Sequence, residues 1–112
     1  MTKIYGIKNC STVKKALNWL DENSVQYEFH DYKKAGADEK KLRNWVKKFG
    51  LETIMNSKGM TFRNLEESQK PKNEEEAITL MLEKTSIIKR PILEKDENQI
   101  IGFDEQEYSK LL

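Results

Sequence analysis

A single cysteine, Cys10, stands in the polar run Lys8-Asn9-Cys10-Ser11-Thr12, between a β-rich segment and an amphipathic helical one. A thiol there faces the unpaired backbone N–H groups of a helix start and the positive end of the helix dipole. Both favour the thiolate, which is the nucleophilic form of cysteine. Lys8, Lys14 and Lys15 add positive potential around it. A lone cysteine is often no more than a small buried apolar residue, but the polar surroundings and the strand-to-helix position point here to a reactive one. With no second cysteine an intramolecular disulfide is impossible, and a secreted domain of this size usually carries several.

Of the 20 basic residues only three are arginine: Arg43, Arg63 and Arg90. Arginine is the side chain suited to forked recognition of an oxyanion, so each is a candidate. Arg90 precedes Pro91, and a proline at a strand start removes a ladder donor and is open to the cis isomer. Placed before a terminal hairpin, the pair would lie beside the first helix start, with Arg90 aimed at an anion near Cys10. On the dipeptide alone it reads as an edge-strand proline next to a solvated arginine. Arg63, in Thr61-Phe62-Arg63-Asn64, falls in a weakly periodic stretch of the kind that carries functional loops; alone it reads as a surface residue. His30 is the only histidine, and with one Cys it makes no metal cluster; a structural or exposed role is expected. Trp19 and Trp45 read as packing residues, and Glu74–Glu76 as a helix start. The sixth residue after Cys10 is Ala16, so a Cys-x5-Arg phosphatase loop is absent.

These residues need a frame. Lys3–Ile7 alternates and is β-rich, giving a first strand. Val13, Ala16, Leu17 and Leu20 follow at helical spacing, one apolar face of a helix ending near Asn23. Val25–Tyr32 alternates again and reads as a second strand, with a loop over Lys33–Ala37. Asp38 caps a second helix whose stripe is Leu42, Trp45, Val46 and Phe49, and Gly50 stands where a left-handed C-cap is wanted. Leu51–Lys72 reads as short helical turns and loop. Asn73 opens a helix with Ala77, Leu80 and Met81 inward. Ile87–Leu93 and Asn98–Phe103 form a hairpin, and Asp104 with Glu107 starts a last helix carrying Tyr108, Leu111 and Leu112.

Composition bounds the rest. At 112 residues, 37% hydrophobic and 35% charged, the chain fits one domain with a small core under a charged surface. A formal net charge of +1 gives no field for nucleic acid. No leader-type apolar segment and no run of the about 18–20 apolar residues of a membrane span is visible, so a cytoplasmic protein is expected.

Taken together, five ordered segments resemble the arsenate reductase-like (ArsC/Spx) family, most closely its YffB-type subgroup of glutathione-linked thiol reductases. They are Ile4–Ala16, Phe29–Tyr32, Asn56–Arg63, Ile88–Leu93 and Ile101–Phe103. The resemblance implies one domain over residues 1–112: an α/β, thioredoxin-like fold, βαβ plus ββα, with a helical insertion at about residues 37–86 between the halves. It implies that Cys10 is the catalytic nucleophile, that Arg63 and Arg90 bind the oxyanion or thiol co-substrate, and that Pro91 is cis; Lys8, Asn9, Lys14 and Pro91 complete the expected binding set. No bound metal, nucleotide or other cofactor is implied. Glutathione is the expected co-substrate, glutathione or a glutaredoxin the resolving partner, and the protein a monomer. Family arsenate reductases carry a histidine shortly before the cysteine and an arginine four residues after it, where this chain has Gly6-Ile7-Lys8-Asn9 and Lys14. They also carry a third anion-binding arginine near the C-terminal hairpin, where this chain has Ile101-Gly102-Phe103-Asp104, which counts against arsenate as substrate. The alternative is a non-catalytic, Spx-like regulatory module that binds a protein such as RNA polymerase. The Cys-x-x-Cys switch usual in that branch is replaced here by Cys10 and Val13.

Overall fold

A computed structural model describes all residues, Met1–Leu112, as two compact units: Met1–Ala35 with Arg90–Leu112, and Gly36–Lys89. The first is built on a sheet. Strands β1 (Thr2–Gly6), β2 (Tyr27–Asp31), β3 (Ile92–Lys95) and β4 (Asn98–Ile101) lie in the order β2-β1-β3-β4. β1 and β2 are parallel, with Ile4 opposite Phe29. β3 runs antiparallel to both of its neighbours, β1 and β4. The βαβ and ββα halves read from the sequence are therefore both present.

Helix α1 (Ser11–Glu22) connects β1 to β2 and buries Val13, Ala16 and Leu20, the face set by its 3–4 spacing. Ile4, Ala16, Leu20, Leu93 and Tyr108 form the core of this unit, with Trp19 and Phe103 packed edge-on against the Tyr108 ring. Tyr108 belongs to the last helix of the unit, Glu105–Leu111, which is capped by Asp104 accepting from the Glu107 N–H at 3.0 Å. The Tyr108 hydroxyl donates to the Gly102 carbonyl at 2.8 Å, so its polar end is satisfied inside an apolar core.

β1 is Thr2–Gly6 rather than Lys3–Ile7, and β4 ends at Ile101 rather than Phe103; three further boundaries differ from the sequence reading, each for a local reason. β2 starts at Tyr27 because α1 closes in a Schellman turn: Ser24 adopts φ 56° and the Val25 N–H is spent on the Leu20 carbonyl at 2.9 Å. β2 ends at Asp31, whose side chain accepts from the Lys33 N–H at 2.9 Å, so the expected loop begins instead as a short helix, α2 (Tyr32–Ala35). β3 starts only at Ile92: Thr85–Ile87 is a 3-10 turn, Ile88 makes an isolated bridge to Met55, and Pro91 offers no N–H to a ladder.

The second unit is helical. α3 (Glu39–Phe49) is capped by Asp38, which accepts from the Lys40 and Lys41 N–H groups at 2.9 and 3.2 Å, and it buries Leu42, Trp45 and Val46; Phe49 is half-buried. Gly50 has positive φ as expected, but at φ 91° and ψ 149° it occupies the extended region open to glycine alone rather than the left-handed helical one. Short helices α4 (Leu51–Ile54) and α5 (Met60–Arg63) and a 3-10 turn at Glu67–Gln69 follow. α6 (Glu74–Glu83), capped by Asn73, buries Ala77, Ile78, Leu80 and Met81 and packs on α3. The C-terminal helix of the chain, Glu105–Leu111, is α7.

Candidate functional site

The site begins where β1 ends. After Gly6 the buried Ile7 holds the chain, Lys8 and Asn9 form an exposed turn, and Cys10 takes the N-cap position of α1 at φ −124° and ψ 125°. Its carbonyl accepts the Lys14 N–H at 2.9 Å, closing the first helical turn. As a thiol, Cys10 makes no capping hydrogen bond, consistent with a weakly accepting sulfur. As a thiolate it is faced by the N–H groups of Val13 and Thr12 and by the Arg90 guanidinium.

Burial alone raises the Cys10 thiol. The Val13 N–H, the Arg90 hydrogen bond, the Thr12 N–H and the Arg90 charge together outweigh it and hold the thiol below its ordinary value. No acidic residue occupies the first turn of α1 to oppose this, and Lys14 and Lys15, the fourth and fifth residues of the helix, are both exposed. Cys10 is half-buried, and a lowered thiol pKa favours the thiolate, the nucleophilic form of cysteine.

Arg90 reaches the sulfur from the far end of the same unit. The Arg90–Pro91 peptide bond is cis, Pro91 is buried, and its carbonyl accepts the Gly102 N–H at 2.7 Å. Arg90 is therefore held next to the first residue of β3, and β3 lies alongside β1. Two residues far apart in the sequence are thus brought together, with the Arg90 guanidinium favouring the Cys10 thiolate. The sequence profile of the ArsC family matches residues 5–111, the stretch that carries all of these groups. The chain belongs to the ArsC family.

Among solved structures, the YffB (PA3664) protein is 47% identical with a TM-score of 0.92, over 98% of this chain and 97% of that one. An arsenate reductase (ArsC) related protein of Brucella melitensis is 42% identical with a TM-score of 0.75, over 97% and 92%. The regulatory protein MgsR of Bacillus subtilis is 26% identical over 109 residues, 96% of this chain and 86% of its own. The fold is accordingly the thioredoxin-like one of ArsC-family proteins, and the family holds both reductase-related and regulatory members.

The remaining candidates stand as follows. Lys8 and Asn9 are exposed in the turn before Cys10, and Lys14 is exposed in the first turn of α1. Arg63 is exposed at the end of α5 in the helical unit, where its N–H donates to the Gly59 carbonyl at 3.1 Å. α5 is tied within that unit by the Ser86 hydroxyl donating to Thr61 Oγ1 at 3.0 Å. Arg43 is committed elsewhere: its guanidinium donates to Glu75 at 2.7 and 3.0 Å and to Glu39 at 2.9 Å. His30 lies in an aromatic cluster with Tyr5 and Tyr32, ring centroids 5.3 and 5.8 Å away. The specific N–H donors, those of Val13 and Thr12, were not singled out from the sequence; only the general property of a helix start signalled them. No group of three or more His, Cys, Asp or Glu is placed to share a metal ion, and no helix is long and apolar enough to cross a membrane.

Proposed function

We propose that the protein is a cytoplasmic thiol-dependent reductase in which Cys10 is the only nucleophile and an external thiol completes the cycle. The observation that carries this reading is the Cys10 sulfur at the start of α1, within hydrogen-bonding reach of the Val13 and Thr12 N–H groups and of Arg90. The Cys10 thiolate attacks the glutathione sulfur of a mixed disulfide; a Cys10–S–S–glutathione bond forms as the old S–S bond breaks, and the substrate leaves as a thiolate that takes a proton from solvent. A second glutathione thiolate, or a glutaredoxin cysteine, then attacks the glutathionyl sulfur and returns Cys10 as a thiolate. Two electrons pass from the external thiols to the substrate, and the oxidised product is glutathione disulfide or the glutathionylated glutaredoxin.

Arg90 holds the leaving or entering sulfur and any carboxylate beside it, and the backbone N–H groups stabilise charge as it returns to Cys10. Arg63, Lys8, Asn9 and Lys14 are assigned on the family resemblance to the anionic groups of glutathione or of a small oxyanion, with Pro91 setting the position of Arg90. Arsenate fits less well than a disulfide, since the Ile101–Asp104 segment brings no third arginine.

Incubation with glutathione disulfide followed by intact-mass analysis tests this. A mixed disulfide on Cys10, absent from Cys10→Ser and released by reduced glutathione or glutaredoxin, is the expected result. A Cys10 that stays unmodified and titrates as an ordinary thiol would sink it. The similarity to the MgsR regulator supports a second reading, a non-catalytic regulatory module, for which the family resemblance suggests a protein partner such as RNA polymerase. Its signature is the opposite one: an inert Cys10 together with direct binding to purified polymerase.

A further inference from the structure

We propose that Gly6 is a positioning residue for the Cys10 nucleophile, its missing side chain being what lets the first turn of α1 seat against the end of β1 and bring its N–H groups to the sulfur. This rests on the thiolate reading of Cys10 given above. Gly6 is the last residue of β1, buried, and opposite Asp31 of β2. Its backbone is not what demands glycine: positive φ occurs at Gly36, Gly50 and Gly102 and not at Gly6. The demand is for space. A Cβ at Gly6 would stand 2.8 Å from Val13 Cγ2, 3.5 Å from Val13 Cγ1 and 3.8 Å from Arg90 Cβ.

The first of these distances is closer than a carbon–carbon contact allows, and Val13 has no simple escape. It is fully buried, and a valine on a helix is held to one side-chain rotamer. A methyl at position 6 must therefore move the first turn of α1. The two residues that flank the empty space are the two that hold the sulfur, Val13 through its N–H and Arg90 through its guanidinium. A side chain at position 6 meets Arg90 Cβ at an ordinary contact distance and displaces Val13, so it disturbs the geometry that Cys10 relies on through the first turn of α1.

The pH profile of Cys10 alkylation by iodoacetamide reads this apart from folding. Gly6→Ala is expected to move the midpoint upward and to slow alkylation at neutral pH about tenfold, the effect of losing one hydrogen bond to a charged group. In a Val13→Ala background, where both Cγ atoms are gone, the same Gly6→Ala change is expected to leave the midpoint where Val13→Ala alone has it. Should Gly6→Ala fail to fold, the comparison moves to Gly6→Ala/Val13→Ala against Gly6→Val/Val13→Ala. The second refills the opened space and is expected to raise the midpoint; equal midpoints overturn the proposal. A low wild-type midpoint that Gly6→Ala leaves unchanged also overturns it, while leaving the thiolate reading intact. An ordinary wild-type midpoint removes both.

Discussion

The two units place their charged side chains with different amounts of framework. In the sheet unit Cys10 stands between a strand paired on both sides and a twelve-residue helix closed at its far end by Ser24. Arg90, in the same unit, is fixed by the buried Pro91 and its bond to Gly102. In the helical unit Arg63 ends a four-residue helix, far below the length at which a helix is stable alone, tied through Thr61 to Ser86. Under the proposed function the contrast matches the demands on the groups. A nucleophile loses rate when displaced by a fraction of an ångström, whereas a cation that holds an anion acts through charge and tolerates more.

The largest effect that tests this contrast lies in the core behind α1. Leu20 is fully buried against Ile4, Leu93 and Tyr108. Leu20→Ala is expected to cost about 2–5 kcal/mol in urea denaturation, through lost burial and the cavity left behind. Thr61→Ala removes the tie on α5 and is expected to cost about 1 kcal/mol, the net worth of one hydrogen bond. If Thr61→Ala destabilises the protein as much as Leu20→Ala, the two units do not differ in framework as described.

The sheet unit was also the more legible in the sequence. The spacing of Val13, Ala16 and Leu20 carries a period directly, because α1 buries one face; β1, buried at Ile4, Tyr5 and Gly6 in succession, is legible through its β-rich residue types. Three of the unit's misread boundaries depend on single hydrogen bonds or a missing one: Val25 to Leu20, Lys33 to Asp31, and the absent N–H of Pro91. Periodicity does not report these. In the helical unit Asp38 and Asn73 announced their helices by side-chain chemistry that is local in sequence. Met60–Arg63 had no such signal, since one turn is too short to show a period. The site divides in the same way. Cys10 was visible because its chemistry comes from its neighbours in sequence; Arg90 was a candidate by residue type and its Arg-Pro context, but on the dipeptide alone it read as solvated, because its partner is distant along the chain. Gly6 escaped notice because the space it leaves empty is filled by a residue seven positions on.

The next effect concerns the sulfur itself. Arg90→Gln keeps a polar side chain but removes the charge, and is expected to raise the Cys10 midpoint and slow alkylation at neutral pH about tenfold. The sign of the accompanying stability change follows from proton binding. The folded thiol titrates below the unfolded one, so between the two values the unfolded state binds more protons and stability rises with pH. Relative to Cys10→Ser, the wild type should gain stability as pH climbs from the lowered folded value to the ordinary thiol value of about 8.5, hold it above, and lose it below. Arg90→Gln should shrink that gain. An alkylation profile indistinguishable from wild type would show that the N–H groups of α1 act alone.

The smallest expected effect separates the three arginines. Arg43 has the forked geometry suited to an anion, but Glu75 and Glu39 already occupy the fork, and Arg43 in turn holds the Glu75 carboxyl below its ordinary range. The side chains of all three residues are more than a third exposed, with Glu75 at 71%. Attraction between exposed charges is screened by water and salt and is offset by the ordering of three long side chains. Arg43→Ala should therefore leave the denaturation midpoint almost unmoved, with any small loss disappearing at high salt, and should leave capture of glutathione disulfide at the wild-type rate. Arg63→Ala, in the same unit and with the same change of charge, should weaken capture several-fold at low glutathione disulfide and approach wild type as its concentration rises, which is the pattern of lost binding rather than lost chemistry. Equal behaviour of the two variants would mean that the helical unit contributes only general positive charge, and that the anion is held by the sheet unit alone.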